Sequence, residues 1–304
     1  MNEVVVYSVI SLGAIGAIAA IVLFFVAQKF KVIEDPRLDL VEAELPGANC
    51  GGCGFPSCRN FADAVVKTQD LRNLDCPVGG NAVMAKVAPI IGIEASEKDP
   101  LIAVVRCNGS KTYAPAKVVF DGPKTCTFAH LLHAGESGCP SGCVGLGDCV
   151  SACKFDAICI DEASGLPVVS NEKCVACGAC VKACPRSIIE IRKKGKKDRR
   201  IFVSCINTEK GAPAKKNCAV ACIGCGKCVK ICPHDAIVLE KNLAYIDFDK
   251  CILCRKCAPE CPTGSILELN FPLRKEKTSV NDEKVHTSAS EKPLNSINES
   301  NQQE

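Results

Sequence analysis

Cysteine is the residue that could do chemistry in this chain: it fills 25 of 304 positions, and three or four thiols often fall within one short run. Thiol density of this kind fits a disulfide scaffold, a zinc protein or an iron-sulfur protein. An odd count sits badly with complete pairing, and a long, Lys-rich chain headed by an apolar anchor is unlike a small secreted domain. Zinc ribbons place two C-x2-C knuckles a dozen or more residues apart, whereas these runs are crowded and several end in proline. Iron-sulfur ligation is the class that remains.

Two runs match the bacterial ferredoxin spacing C-x2-C-x2-C-x3-C-P in full: Cys251, Cys254, Cys257 and Cys261, and upstream Cys222, Cys225, Cys228 and Cys232. In such pairs the first three thiolates of one run share a cluster with the fourth of the other. This predicts Cys222, Cys225, Cys228 and Cys261 on one cluster, with Cys251, Cys254, Cys257 and Cys232 on its neighbour. An internal repeat supplies a second pair. Its regular run is Cys174, Cys177, Cys180 and Cys184, while Cys139, Cys143, Cys149 and Cys153 are irregularly spaced and end in Lys154 instead of proline. The same crossing predicts one cluster on Cys139, Cys143, Cys149 and Cys184, and one on Cys174, Cys177, Cys180 and Cys153. Alignment of the repeats leaves Cys218 as an alternative to Cys225.

Nearer the N-terminus, Cys50, Cys53, Cys58 and Cys76 form C-x2-C-x4-C-x17-C, and Gly51, Gly52 and Gly54 let the backbone wrap a cubane. The expected total is five [4Fe-4S] clusters. Cys107, Cys126, Cys159, Cys205 and Cys218 stand outside these sets and read as buried structural thiols. His130, His133 and His234 receive no role.

The elements that must position these thiols are small. Val4 to Ala27 is uncharged and long enough to cross a hydrocarbon core of about 30 Å as one helix. Lys29 and Lys31 follow it, so the positive-inside tendency places the cysteine-rich body on the cytoplasmic side of the cell's inner membrane. Phe61, Val65 and Val66 suggest a helix returning toward Cys76, and the apolar segments FDAICID, RSIIEIR, HDAIVLE and GSILELN read as strands covering clusters. The expected class is α+β. Its parts are a transmembrane anchor over 1–28, a cluster domain over 33–92, a linker domain over 93–133, a first ferredoxin module over 134–194, a linker over 195–211 and a second module over 212–271. A disordered polar tail over 272–304 completes the chain.

The formal charge of +3 points to no particular partner. Arg192 to Arg200 (RKKGKKDRR) lacks the interleaved aromatics of a nucleic-acid platform and reads as a solvated linker. No dinucleotide fingerprint, Walker loop or activated nucleophile occurs, so neither a catalytic residue nor an NAD site is expected within this chain. One-electron transfer is the chemistry left.

The order of one membrane helix, an NCGGCGFPSC cluster domain and paired ferredoxin modules resembles the B subunit of the Rnf ion-translocating electron-transport complex, over nearly the whole chain apart from its tail. The resemblance implies a redox subunit that takes electrons from reduced soluble ferredoxin and passes them to membrane and flavin-bearing subunits leading to NAD, coupled to pumping Na+ or H+. The NAD site and ion path would lie on those partners. Many members of the family carry one ferredoxin module; here there are two. A membrane-tethered polyferredoxin serving a regulator or reductase without ion pumping is the competing reading, and a zinc-rich scaffold a third.

Overall fold

The computed structural model describes residues 2–29, 35–95, 97–132 and 135–274. Lys31, His133 and the expected tail beyond residue 274 lie outside them. Helix α1 (Asn2–Lys29) contains a 24-residue apolar stretch, Val6–Lys29, with mean hydropathy 2.7 and no burial. It is the one described helix long and apolar enough to cross a membrane.

Three helices follow, α2 (Arg37–Glu44), α3 (Cys58–Thr68) and α4 (Gly80–Ile90). Their core joins Val41, Phe61, Val65 and Val87, and its edge reaches Cys76 and the half-buried Cys53 and Cys58. Phe61, Ala62, Val65 and Val66 recur at helical spacing, which is why α3 buries one face. Ser57 caps α3 by accepting from the Asn60 amide, and Asn49 Oδ1 accepts from the Cys58 amide at 2.7 Å, fixing Cys58 where the helix starts.

The remaining elements make two copies of one plan. In the first, β1 (Leu101–Val105) pairs antiparallel with β4 (Ile189–Lys193), enclosing α5 (Cys126–Leu131), α6 (Asp148–Ser151), the hairpin β2 (Ile158–Ile160) and β3 (Pro167–Val169), and α7 (Ala179–Ala183). In the second, β5 (Arg200–Val203) pairs with β8 (Ile266–Leu269), enclosing α8 (Gly211–Asn217), α9 (Lys227–Ile231) and the hairpin β6 (Ile237–Glu240) and β7 (Leu243–Ile246). All four segments expected as strands contain one. The described part of the chain therefore mixes helix and strand as expected.

Both segments expected as linkers belong instead to the modules. Residues 93–133 contain β1 and 195–211 contain β5, each the first strand of its module. The reason is two-sided burial. On β1, Ala103 turns toward the core that holds Cys149 and Cys180, while Ile102 and Val104 pack with Phe202 of β5 in a seam between the modules. A short strand apolar on both faces loses the alternation that marks a half-buried one. The basic run is likewise no solvated linker at its ends, since Arg192 and Arg200 are buried on β4 and β5.

Candidate iron-sulfur centres

In four of the expected sets, thiols of the set neighbour one another in the structure. Cys53 and Cys58 face Cys76 closely enough to act on its thiol, and Cys50 heads the same loop. Cys153, Cys174 and Cys177 surround Cys180, beside a small apolar pocket lined by Ala103, Ile158 and Val169. Cys222, Cys225 and Cys261 surround Cys228 beside a matching pocket lined by Val203, Ala244 and Ile266. Cys251 and Cys254 act on Cys257, and Cys232 acts on Cys251. Gly178 and Gly226, at φ of 76° and 72°, cap α7 and α9 in the left-handed region and turn the two C-x2-C loops into their helices. Cys225 thus stays in its regular set.

The fifth set is different. Cys149 is flanked by Cys126, Cys184 and Cys180, and Cys143 by Cys107, Cys126 and Cys149; the four of these that no adjoining group claims are Cys126, Cys143, Cys149 and Cys184. Asp148 explains the placement of Cys126. Its carboxylate accepts from the amides of Cys126 at 2.7 Å and Thr127 at 3.0 Å, tying the start of α5 to the start of α6 beside Cys149. Burial opposes ionisation of Asp148, but these hydrogen bonds prevail and hold its carboxyl below the usual range.

Cys139, expected in that set, lies elsewhere. It joins Cys107, Cys205 and Cys218, because Cys139, Cys107 and Cys205 all act on the Cys218 thiol. Two of these four were legible in a repeat that spacing rules overlook: Cys107 and Cys205 each stand two residues beyond the first strand of their module. This sixth group straddles the modules. Only Cys159, exposed on β2, remains apart from the six groups.

The groups stand in series. Cys50 faces Cys177, and a Cβ placed on Gly52 would lie 2.9 Å from the Cys177 Cα, so the first two groups meet across bare backbone. Cys180 faces Cys149, Cys107 faces Cys143, Cys205 faces Cys222, and Cys228 faces Cys257. The line runs from the helical domain, through the first module and the shared group, to Cys251–Cys257.

Family models match three segments. The FeS model, for an Fe-S cluster, covers residues 45–78; a 4Fe-4S double cluster binding domain covers 173–235; and a 4Fe-4S dicluster domain covers 221–265. The B subunit of the Na(+)-translocating ferredoxin:NAD(+) oxidoreductase complex of Acetobacterium woodii is 45% identical over 79% of this chain and 71% of its own. The B subunit of the proton-translocating ferredoxin:NAD(+) oxidoreductase complex of Clostridium ljungdahlii is 40% identical over 83% and 87%. The B subunit of the ion-translocating oxidoreductase complex of Methanosarcina acetivorans is 37% identical over 83% and 93%. The chain belongs to the Rnf B-subunit family.

The chemistry of the thiol groups in this Rnf family member fits four-iron clusters. Burial first, and neighbouring thiols second, push Cys143 and Cys149 up to about 12. Burial likewise lifts Cys257 to about 12 and Cys180, Cys218 and Cys228 to about 11. Thiols packed against one another in low dielectric cannot ionise together without a cationic core to bind.

Backbone amides are already aimed at the sulfurs. Gly52 donates to Cys50 and Gly79 to Cys76 at 3.4 Å, and Ala157, Ile188 and Ser265 donate to Cys153, Cys184 and Cys261, each from four residues downstream. At Cys261 burial works upward, yet hydrogen bonds from Thr263, Ser265 and Ile266 outweigh it and hold the thiol below its ordinary value. In the shared group the buried Asn207 donates its amide to Cys205 at 3.4 Å and its side chain to Cys139 at 3.9 Å. Such donors stabilise anionic sulfur and raise the potential of a cluster held there.

Proposed function

We propose that this chain is the electron-transfer subunit of a membrane-bound, ion-translocating ferredoxin:NAD oxidoreductase complex, and that it holds six [4Fe-4S] clusters. The observation that carries the reading is the series of six four-thiol groups, one in the helical domain, four within the two modules and one between the modules. Bound clusters supply one-electron carriers. The chain itself supplies thiolates, amide donors and dry walls: the strand segments 158–160 and 237–240 and the β1–β4 and β5–β8 pairs exclude water from the groups they cover.

The proposed ligand sets are those of the six groups, with Cys126 in place of Cys139 beside Cys143, Cys149 and Cys184. Helix α1 anchors the chain, and Lys29 and Lys31 favour a cytoplasmic body. With no nucleotide fingerprint in the sequence, the NAD site and ion path are assigned to partner subunits, and soluble ferredoxin is the donor. Ferredoxin-driven NAD reduction and ion uptake by inverted membrane vesicles test this reading. Both should fail when Cys50 becomes Ala while the protein remains in the membrane. Full activity in that variant, or zinc in place of iron and acid-labile sulfide in the anaerobic protein, would overturn it.

A further inference from the structure

A cleft of about 1260 Å³ opens along the seam of the two modules, lined by the basic run from Arg192 to Arg200 together with Phe248, Cys251 and Leu253. Its floor is cationic and unsatisfied. Arg192 and Arg200 are only 2% and 7% exposed, yet Nη1 and Nη2 of Arg192 and Nε and Nη1 of Arg200 have no hydrogen-bond partner among the described residues. Arg192 is held in place by Glu190 and by the rings of Tyr245, Phe202 and Phe248, at 5.0, 5.7 and 5.5 Å. At the rim Lys193 is tied to Asp99 and Asp249 and Lys194 to Asp198, whereas the exposed Lys196 and Lys197 make no ion pair among the described residues. The guanidinium groups of Arg192 and Arg200 lie beneath the cleft, out of contact with solvent, so the charge offered at its mouth is that of the exposed lysines, with the buried arginines adding positive potential from below.

The cleft also lies at one end of the series of thiol groups. The other end, Cys50 to Cys76, belongs to the helical domain whose first helix, α2, follows α1 after a connection of seven residues, so in sequence it is the group nearest the apolar helix and Cys251 to Cys257 the farthest from it. There Cys254 is exposed and Ile252 is 60% exposed beside it.

We propose that this basic cleft docks the acidic face of a small soluble electron-carrier protein, and that one electron enters the chain at the group of Cys232, Cys251, Cys254 and Cys257. The inference rests on the reading of the chain as a ferredoxin-fed relay. The carrier is oxidised by one electron and the cluster on those four thiolates is reduced by one, with no bond made or broken. Lys196 and Lys197 steer the encounter and meet the carboxylates at the cleft mouth, while the buried Arg192 and Arg200 add positive potential from below.

The test uses the full chain, anaerobically purified with its clusters, and a reduced acidic two-cluster ferredoxin. Titration calorimetry gives the affinity at several salt concentrations, carbodiimide coupling maps the lysines joined to ferredoxin carboxylates, and stopped-flow spectroscopy follows reduction. Lys196→Glu with Lys197→Glu should weaken binding and slow ferredoxin reduction about tenfold or more, flatten the salt dependence, and leave reduction by methyl viologen radical unchanged. Lys215→Glu, on α8, should change none of these. Unchanged affinity and rate in the double variant, with wild-type protein accepting electrons normally, overturns the docking surface and leaves the relay standing. Saturation of the cleft by inorganic phosphate without effect on ferredoxin binding does the same, making it a small-anion site. Wild-type protein that methyl viologen reduces and ferredoxin does not overturns both.

Discussion

Replacement of Gly52 by Ala probes the closest approach between the helical domain and the first ferredoxin module. A Cβ at this position would stand 2.9 Å from the Cys177 Cα, 2.9 Å from Pro77 Cγ and 3.0 Å from the Cys177 carbonyl oxygen, where ordinary contact begins at 3.4 Å. Two of these atoms are backbone and one belongs to a proline ring, so no flexible side chain can swing away. The Cys50 and Cys177 loops must part by about half an ångström, an overpacking cost of about 1–3 kcal/mol. Gly52 does not require the left-handed region, so backbone strain adds nothing. Gly54→Ala is the matched control, for Gly54 has φ of 89° and nothing within 4 Å of its Cβ position. It should cost backbone strain of about 1–3 kcal/mol without separating the two loops. Hydrogen exchange at the Cys177 and Ala179 amides, with the magnetic coupling between the clusters on Cys50 and Cys177, distinguishes the two. Faster exchange and weaker coupling are expected for Gly52→Ala alone. Equal behaviour of both variants would refute the claim that the domains meet through this glycine.

Cys107→Ser and Cys218→Ser should each lower the iron content by about four from about 24, whereas Cys159→Ser should leave it unchanged; equal iron in all three would dissolve the shared site. Arg192→Met should lower the potential of the cluster nearest Cys251 by tens of millivolts, about 60 mV corresponding to a tenfold change in a one-electron equilibrium, and a redox titration followed by electron paramagnetic resonance reads it directly. Asp148→Ala should free the start of α5 and selectively labilise the cluster of Cys126 to chelators, an effect that Asp161→Ala, at the β2–β3 turn, should not share. The folded thiols keep their protons above the ordinary value, so the iron-free chain should be most stable below pH 9 and lose stability as pH rises toward 12. Loading clusters near pH 8 should correspondingly release protons, measurable in a weakly buffered reconstitution.

Regular runs could be read from spacing alone because a C-x2-C-x2-C loop is local: its ligands are fixed by a few residues of backbone, as at Cys222 to Cys228. The irregular ligands could not. Cys126 reaches its site through a hydrogen-bonded carboxylate 22 residues downstream. The group of Cys107, Cys139, Cys205 and Cys218 is assembled only when two strands, one from each module, pack back to back. Those strands were themselves hidden, since burial on both faces erases the alternation by which a sequence announces them. Crossed pairing of repeats set Cys139 beside Cys143 and Cys149, whereas the fold brings it to Cys107, Cys205 and Cys218.

A site shared by two modules also imposes a timetable on maturation. Cys50 to Cys76 close within one stretch and can receive iron as soon as that stretch has left the ribosome. The proposed site of Cys107 and Cys139 must wait until Cys218 has been synthesised, with the whole first module and the start of the second already made. On the proposed ligand sets, a chain released early would therefore carry the first thiol group complete but not the one that joins the two modules.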